Sequence, residues 1–240
     1  MAQAARAATG SVPAVDDPAV TPVAAAAVGT TGATGTDVRA DRCRTCRHNG
    51  GVDDLTSRLL VAVPREQSEV RDDDVFDRSV VLVLHHDDDG AHGLILNRPL
   101  TAEVDAVLPG WQEHVSRPDC VFQGGPVSLD TALGLASSPG DEDEQLGIKR
   151  LFGGVCLIDL DAPPPVVMPS LAALRIYAGY AGWGPEQLES EIESGYWFVV
   201  DAEAYDPFSD DPDDLWEQVL RRQRSSMAFA ASFPDDPELN

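Results

Sequence analysis

The stretch Ser79–Asn97, SVVLVLHHDDDGAHGLILN, decides the fold class. Two runs of aliphatic and β-branched residues flank an Asp-Gly turn, which is the local signature of a β-hairpin. Adjacent His85 and His86 then project to opposite faces of one strand, one inward and one outward. Arg98-Pro99 ends the hairpin, because proline donates no ladder hydrogen bond. On the N-terminal side, LLVAVP (59–64) is a short apolar run that reads as a buried strand. On the C-terminal side, Thr101 is placed to cap a short helix through Leu108. VFQGGPVS (121–128) reads as a strand broken by a Gly-Gly-Pro turn, and GGVCLIDLD (153–161) as another strand. APPPVVMP (162–169) reads as a rigid connection.

The segment LRIYAGYAGWGPEQLESEI (174–192) begins as a strand and ends as an amphipathic helix. Between them, Gly179, Gly182 and Gly184 surround Tyr180 and Trp183 in what reads as a tight corner. Pro185 suits the first helical position, Glu186 and Glu189 lie near the positive end of the helix dipole, and Gly195 suits the helix stop. YWFVVDA (196–202) resumes a strand. A last helix is capped by Asp211, opened by Pro212 and closed by Arg221 and Arg222, with Leu215, Trp216, Val219 and Leu220 as its apolar stripe. MAFAASF (227–233) reads as a final strand. Hairpins mixed with lone helices predict an α+β fold rather than a doubly wound parallel sheet.

Residues 1–54 differ in composition from the rest. They are rich in Ala, Thr, Gly, Val and Pro and hold no aromatic residue. Such a segment buries too little apolar area to offset its ordering entropy, so it is expected to be a disordered N-terminal extension ahead of a domain at 55–240. The 240 residues carry a formal charge of −24. That field opposes phosphate backbones and anionic membrane leaflets, and no Lys/Arg block offsets it. No apolar run reaches the ~18 residues of a membrane span, and no basic region precedes an apolar leader. The expectation is a cytoplasmic protein without direct nucleic-acid or membrane partners. Four cysteines in a chain this long do not suggest a disulfide framework.

Few motifs carry chemistry. Cys43-x-x-Cys46-x-His48 supplies three zinc-type ligands and lacks a nearby fourth. An EF-hand register on Gly90 puts His85 and Leu96 where carboxylates are required, so it fails. No nucleophile elbow, zinc-protease motif, P-loop or dinucleotide fingerprint occurs. His86 is the one candidate base, with Ser79 or a cysteine as conceivable nucleophile, and spacing places no third group. A non-catalytic protein without a cofactor is therefore expected.

Taken together, RSVVLVLHHDDDGAHGLILNRPL, VFQGGPVS, LRIYAGYAGWGPEQLESEI with YWFVVDA, and the terminal VLRRQ…FPDDPELN resemble the YqgE/AlgH family. The resemblance covers about Leu55 to Asn240. It implies an α+β fold whose strongly bent, bifurcated sheet wraps into a pseudo-barrel, with no accepted activity and no established cofactor. Some members carry the label of transcriptional regulator. The family usually has glycine where Glu186 stands and an acidic residue where His85 stands, while His86 matches. The shared motifs suggest a ligand cleft lined by Asn97, Arg98, Gly124, Gly125, Arg175, Tyr180, Trp183 and Gln187. Its occupant would be a small molecule or a protein, held by the arginine forks and stacked on the rings.

Overall fold

The computed structural model describes residues 54–65, 74–139, 147–223 and 227–231. The strands are β1 (Arg58–Ala62), β2 (Val80–Asp87), β3 (Gly90–Ile95), β4 (Pro99–Glu103), β5 (Cys120–Gln123), β6 (Val127–Ser137), β7 (Ile148–Phe152), β8 (Val155–Ile158), β9 (Ala173–Trp183) and β10 (Trp197–Asp201). The helices are short: α1 (Pro164–Val167), α2 (Gln187–Glu193), α3 (Leu215–Arg221) and α4 (Met227–Ala230). The Cys43-Cys46-His48 motif and most of the N-terminal extension lie outside the described residues.

The hairpin forms as expected, with Asp87 opposite Gly90, His86 opposite Ala91 and His85 opposite His92. A bulge between Val83 and His85 ends the regular register. The main sheet runs β10-β1-β2-β3-β9-β6-β8-β7. It forks at β9. One side of β9 pairs with β6 from Ala173 to Tyr180. The other side pairs with β3 at Ala181–Trp183 and with β5, in parallel, at Ile176–Ala178. The sheet curls into a half-barrel, and the fork is the bifurcation that the sequence resemblance implied.

Gly124 sits in the crotch of the fork. Its N–H donates to the Ala178 carbonyl and its own carbonyl accepts from Ile95, so it ties β9 to β3. A Cβ there would lie 2.3 Å from the Gly179 carbonyl oxygen and 2.7 Å from Leu94. No side chain fits between strands that converge so closely.

Both faces of β1 and β2 are buried, which explains their continuous apolar runs. Leu59, Val61, Val80 and Leu82 face one core with Leu94, Phe122, Tyr177 and the stripe of α3. Leu60, Val81 and Val83 face a second core with Ile95, Trp183, Trp197 and Leu188 of α2. A third core around Val104, Trp111, Leu174 and Ile176 covers the β5–β9–β6–β8 region. All four stripe residues of α3 are buried, and Trp216 Nε1 donates to the Ala62 carbonyl at 2.9 Å.

Several expectations are corrected. AGYAGW is not a corner between strand and helix; it is the second half of an eleven-residue β9. Gly179, at φ +68°, absorbs a bulge where the pairing jumps from Val127–Tyr180 to Ala132–Ala178. A positive φ lets glycine continue the strand where other residues would break it. The hairpin ends before Arg98-Pro99 as expected, with Pro99 opening the next strand, β4; Thr101 lies in β4 rather than capping a helix, so the helix turn starts at Val104. APPPVVMP contains α1, with proline in its first turn. MAFA is helix α4, not a strand. Asp214, not Asp211, occupies the position before α3, and no side chain caps that helix. Helix α2 begins at Gln187, one residue after Glu186.

Candidate functional site

The structure distributes the eight sequence-derived site residues over separate settings. Asn97 is buried and binds backbone: its Oδ1 accepts from Val80 N–H and its Nδ2 donates to the Arg78 carbonyl, each at 2.9 Å. It clamps the end of the hairpin to the loop before β2. Arg98 Nη1 donates to the Asn97 carbonyl at 3.0 Å, and Nη2 donates to the Asp77 carbonyl. Burial pushes the Arg98 guanidinium below its ordinary value, with Asp77 opposing.

Arg175 is 1% exposed and spans a different region. Its fork donates to the carbonyls of Pro207 (2.9 Å), Arg117 (2.8 Å) and Ser209 (2.8 Å). Its guanidinium stacks 4.3 Å from the centre of the Phe122 ring. No described carboxylate pairs with it. The turn that supplies two of these carbonyls is fixed by fully buried Asp206, held in a fork by Arg222. Arg98 and Arg175 direct their Nη atoms to separate sets of backbone carbonyls, while Arg175 Nε is buried without a partner among the described residues. Gly124 and Gly125 form the crotch beneath Gly179 and Tyr180.

Trp183 and Gln187 do converge, at Glu191 of α2. Both Trp183 Nε1 (3.0 Å) and Trp197 Nε1 (2.8 Å) donate to Glu191 Oε2, and Gln187 Nε2 donates to Oε1 at 3.0 Å. Gln187 Oε1 accepts from Gly184 N–H at 3.1 Å. Phe76 packs edge-on to Trp197, with ring centres 5.8 Å apart. Beside this cluster, His86 Nε2 lies 2.8 Å from Glu189 Oε1, and His86 Nδ1 accepts from Leu55 N–H at 3.2 Å. Ser79 Oγ donates to the Phe76 carbonyl, so it does not face His86 as a nucleophile. The ring nitrogens, the Gln187 amide and the Glu191 carboxylate of this inner corner all have internal partners.

Tyr180 faces the other way. Strand alternation, after the Gly179 bulge, sends Trp183 into the second core and Tyr180 to the rim of the first. The two rings therefore do not sandwich one ligand. Tyr180 instead continues a row of rings on the outer face of β2, β3 and β9. Its centre is 5.5 Å from that of His92, whose centre is 6.4 Å from that of His85, with planes 26° apart in the latter pair. His85 Nε2 lies 2.8 Å from Asp87 Oδ2, and this bond holds the exposed Asp87 carboxyl below its ordinary value. His92 stands opposite Gly182, which adds no side chain beside Tyr180. Burial pushes His92 below the ordinary imidazole value, with His85 adding to the shift. Its Nδ1 is buried and without a partner, and the Tyr180 hydroxyl has none among the described residues.

His92 was legible only through register: a two-residue turn at Asp88–Asp89 sets it across from His85. Glu191 and Trp197 carried no local signal. Among the described residues, no group of three or more His, Cys, Asp or Glu side chains is gathered to hold a metal.

A forked, curled sheet flanked by short helices defines an α+β half-barrel protein. Among the described residues, no helix is long and apolar enough to cross a membrane. The chain belongs to the AlgH-like family, whose model matches residues 62–228. It is 50% identical over 192 residues to a UPF0301 protein of Streptomyces avermitilis, covering 79% of this chain and 97% of that protein. A UPF0301 protein of Thermobifida fusca is 46% identical over 195 residues, covering 78% and 96%. The crystal structure of a Corynebacterium diphtheriae protein superimposes with a TM-score of 0.68 at 30% identity, covering 78% of this chain and 95% of that one. The solution structure of AlgH from Pseudomonas aeruginosa gives a TM-score of 0.53 at 22% identity, covering 79% and 100%, and so speaks to the fold.

Proposed function

We propose that this chain is a non-catalytic binding module whose receiving surface is the outer face of His85, His92, Tyr180 and Gly182. One observation supports the reading: beside the ring row the Tyr180 hydroxyl has no partner among the described residues, whereas the ring nitrogens and the side-chain amide of the inner corner are engaged internally. A row of rings with one free hydroxyl beside a glycine suits a planar group with a hydrogen-bonding rim, either a small heterocycle or an aromatic side chain of a protein partner. Direct contact with DNA is opposed by the charge of −24. A regulatory role through protein contacts would use the same face.

The test is affinity purification of the tagged full chain from its own cells, with intact-mass and protein readouts. Wild type is compared with a Tyr180→Ala/His92→Ala double variant and with Tyr196→Ala, which removes an exposed ring elsewhere. The companion of the wild type is expected to be lost from the double variant and kept by Tyr196→Ala. Equal retention by all three would place binding on another surface.

A further inference from the structure

We infer that His86 makes residues 54–57 a proton-released strap at the entry to the fold. Leu55 packs against the second core, and its carbonyl accepts from Arg58 N–H at 3.0 Å. Its N–H donates to His86 Nδ1 at 3.2 Å. A backbone N–H only donates, so Nδ1 carries the lone pair and the ring proton sits on Nε2. That proton points at Glu189 Oε1, 2.8 Å away, and fixes the tautomer. The imidazole side chain is 3% exposed and that of Glu189 is 25% exposed. Glu189 belongs to α2 and His86 to β2, so one ring joins the strap, the hairpin and the helix.

The two contacts respond oppositely to a proton. Protonation from solvent at Nδ1 sets N–H against the Leu55 N–H, and the bond is lost. The Nε2 contact becomes an imidazolium–carboxylate pair and strengthens. The charged groups facing the ring are Glu189, across from Nε2, and Asp54, in the strap, whose carboxyl is held low chiefly by Thr56 and also by His86. His85, next in β2, projects to the opposite face toward Asp87. Acidification thus trades the strap for the ion pair: α2 stays docked while Leu55 lets go. Release begins N-terminal to Ser57, whose own N–H is bound independently to the Val83 carbonyl at 2.8 Å. It uncovers the part of the second core under Leu55.

Amide hydrogen exchange of the ¹⁵N-labelled full chain tests this along a descending pH series, with the His86 imidazole ¹⁵N shifts recorded in parallel to report when the ring takes up a proton. After correction for intrinsic rates, Leu55 protection is expected to fall at least about tenfold as the His86 ring takes up its proton, with Ser57 changing little. The inference is overturned if Leu55 stays protected while the ring shifts report protonation. It is equally overturned if Leu55 and Ser57 lose protection together, since that reports general opening. The Leu55–Ser57 comparison within wild type needs no variant to fold.

Discussion

Glu186 is held at φ +60° and ψ 0°, a left-handed conformation, immediately before α2. It makes no side-chain cap to the helix, and its backbone carbonyl accepts from Ser190 N–H at 3.1 Å. Replacing it with glycine therefore removes strain and sacrifices no structural hydrogen bond. An L-residue in this region costs about 1–2 kcal/mol. Glycine returns about 0.5–1 kcal/mol of that through its larger unfolded-state entropy. The balance is a stabilisation of about 0.5–1 kcal/mol, or about 1–4 °C in Tm for a domain of this size. Thermal and urea unfolding of wild type, Glu186→Gly and Glu186→Ala at one pH measure it. Alanine keeps the backbone strain and loses the charge, so Glu186→Ala should stay close to wild type. If alanine stabilises as much as glycine, the gain comes from removing a negative charge, and the strain argument fails.

Arg175→Met should destabilise by about 3 kcal/mol, because the carbonyls of Arg117, Pro207 and Ser209 keep their places and lose their donor. Arg175→Lys should not restore the loss, since an ammonium cannot reproduce the planar fork; denaturant melts of both variants check this. Gly124→Ala should cost more than about 3 kcal/mol or prevent folding, because backbone lies 2.3 Å from the new carbon. Gly110→Ala, with nothing within 4 Å and strain only from φ +88°, should cost about 1 kcal/mol, and the two melts together separate crowding from backbone strain. Burial pushes the Tyr177 hydroxyl up to about 12. A folded value above the unfolded one means that the unfolded chain gives up the proton first, so stability should fall as pH rises from about 10 to 12. Ultraviolet titration should show Tyr177 ionising only with unfolding, and Tyr177→Phe should flatten that alkaline limb.

The sheet was legible wherever one signal dominated. In Ser79–Asn97 the turn, the β-branched runs and the proline agree, and the hairpin forms there. The stripe of α3 was read correctly because four apolar residues at helical spacing leave one buried face. β9 was cut short because glycine normally breaks strands; here Gly179 sits at a register break against β6, and pairing of Ala181–Trp183 with β3 reveals that the strand continues. β7 and most of β6 went unread, because IKRLF and TALGLAS lack the strict alternation of a strand with one exposed face. The candidate site was harder still. Motif position brought Trp183, Tyr180, Arg98 and Arg175 together on paper, but side-chain direction depends on strand parity, and parity depends on the bulge. The same bulge sends Tyr180 outward to His92 and Trp183 inward to Glu191. Buried arginines also look like anion sites in sequence, since the carbonyls that Arg175 binds come from residues 32 or more positions away.

The central claim is that the Tyr180–His92 face receives the ligand or partner. Native mass spectrometry of the full chain from its own cells, run beside the Tyr180→Ala/His92→Ala variant and compared with the denatured masses, tests it most directly. The account predicts a retained non-covalent mass on the wild type that disappears from the variant. A retained mass that persists undiminished on the variant would contradict it.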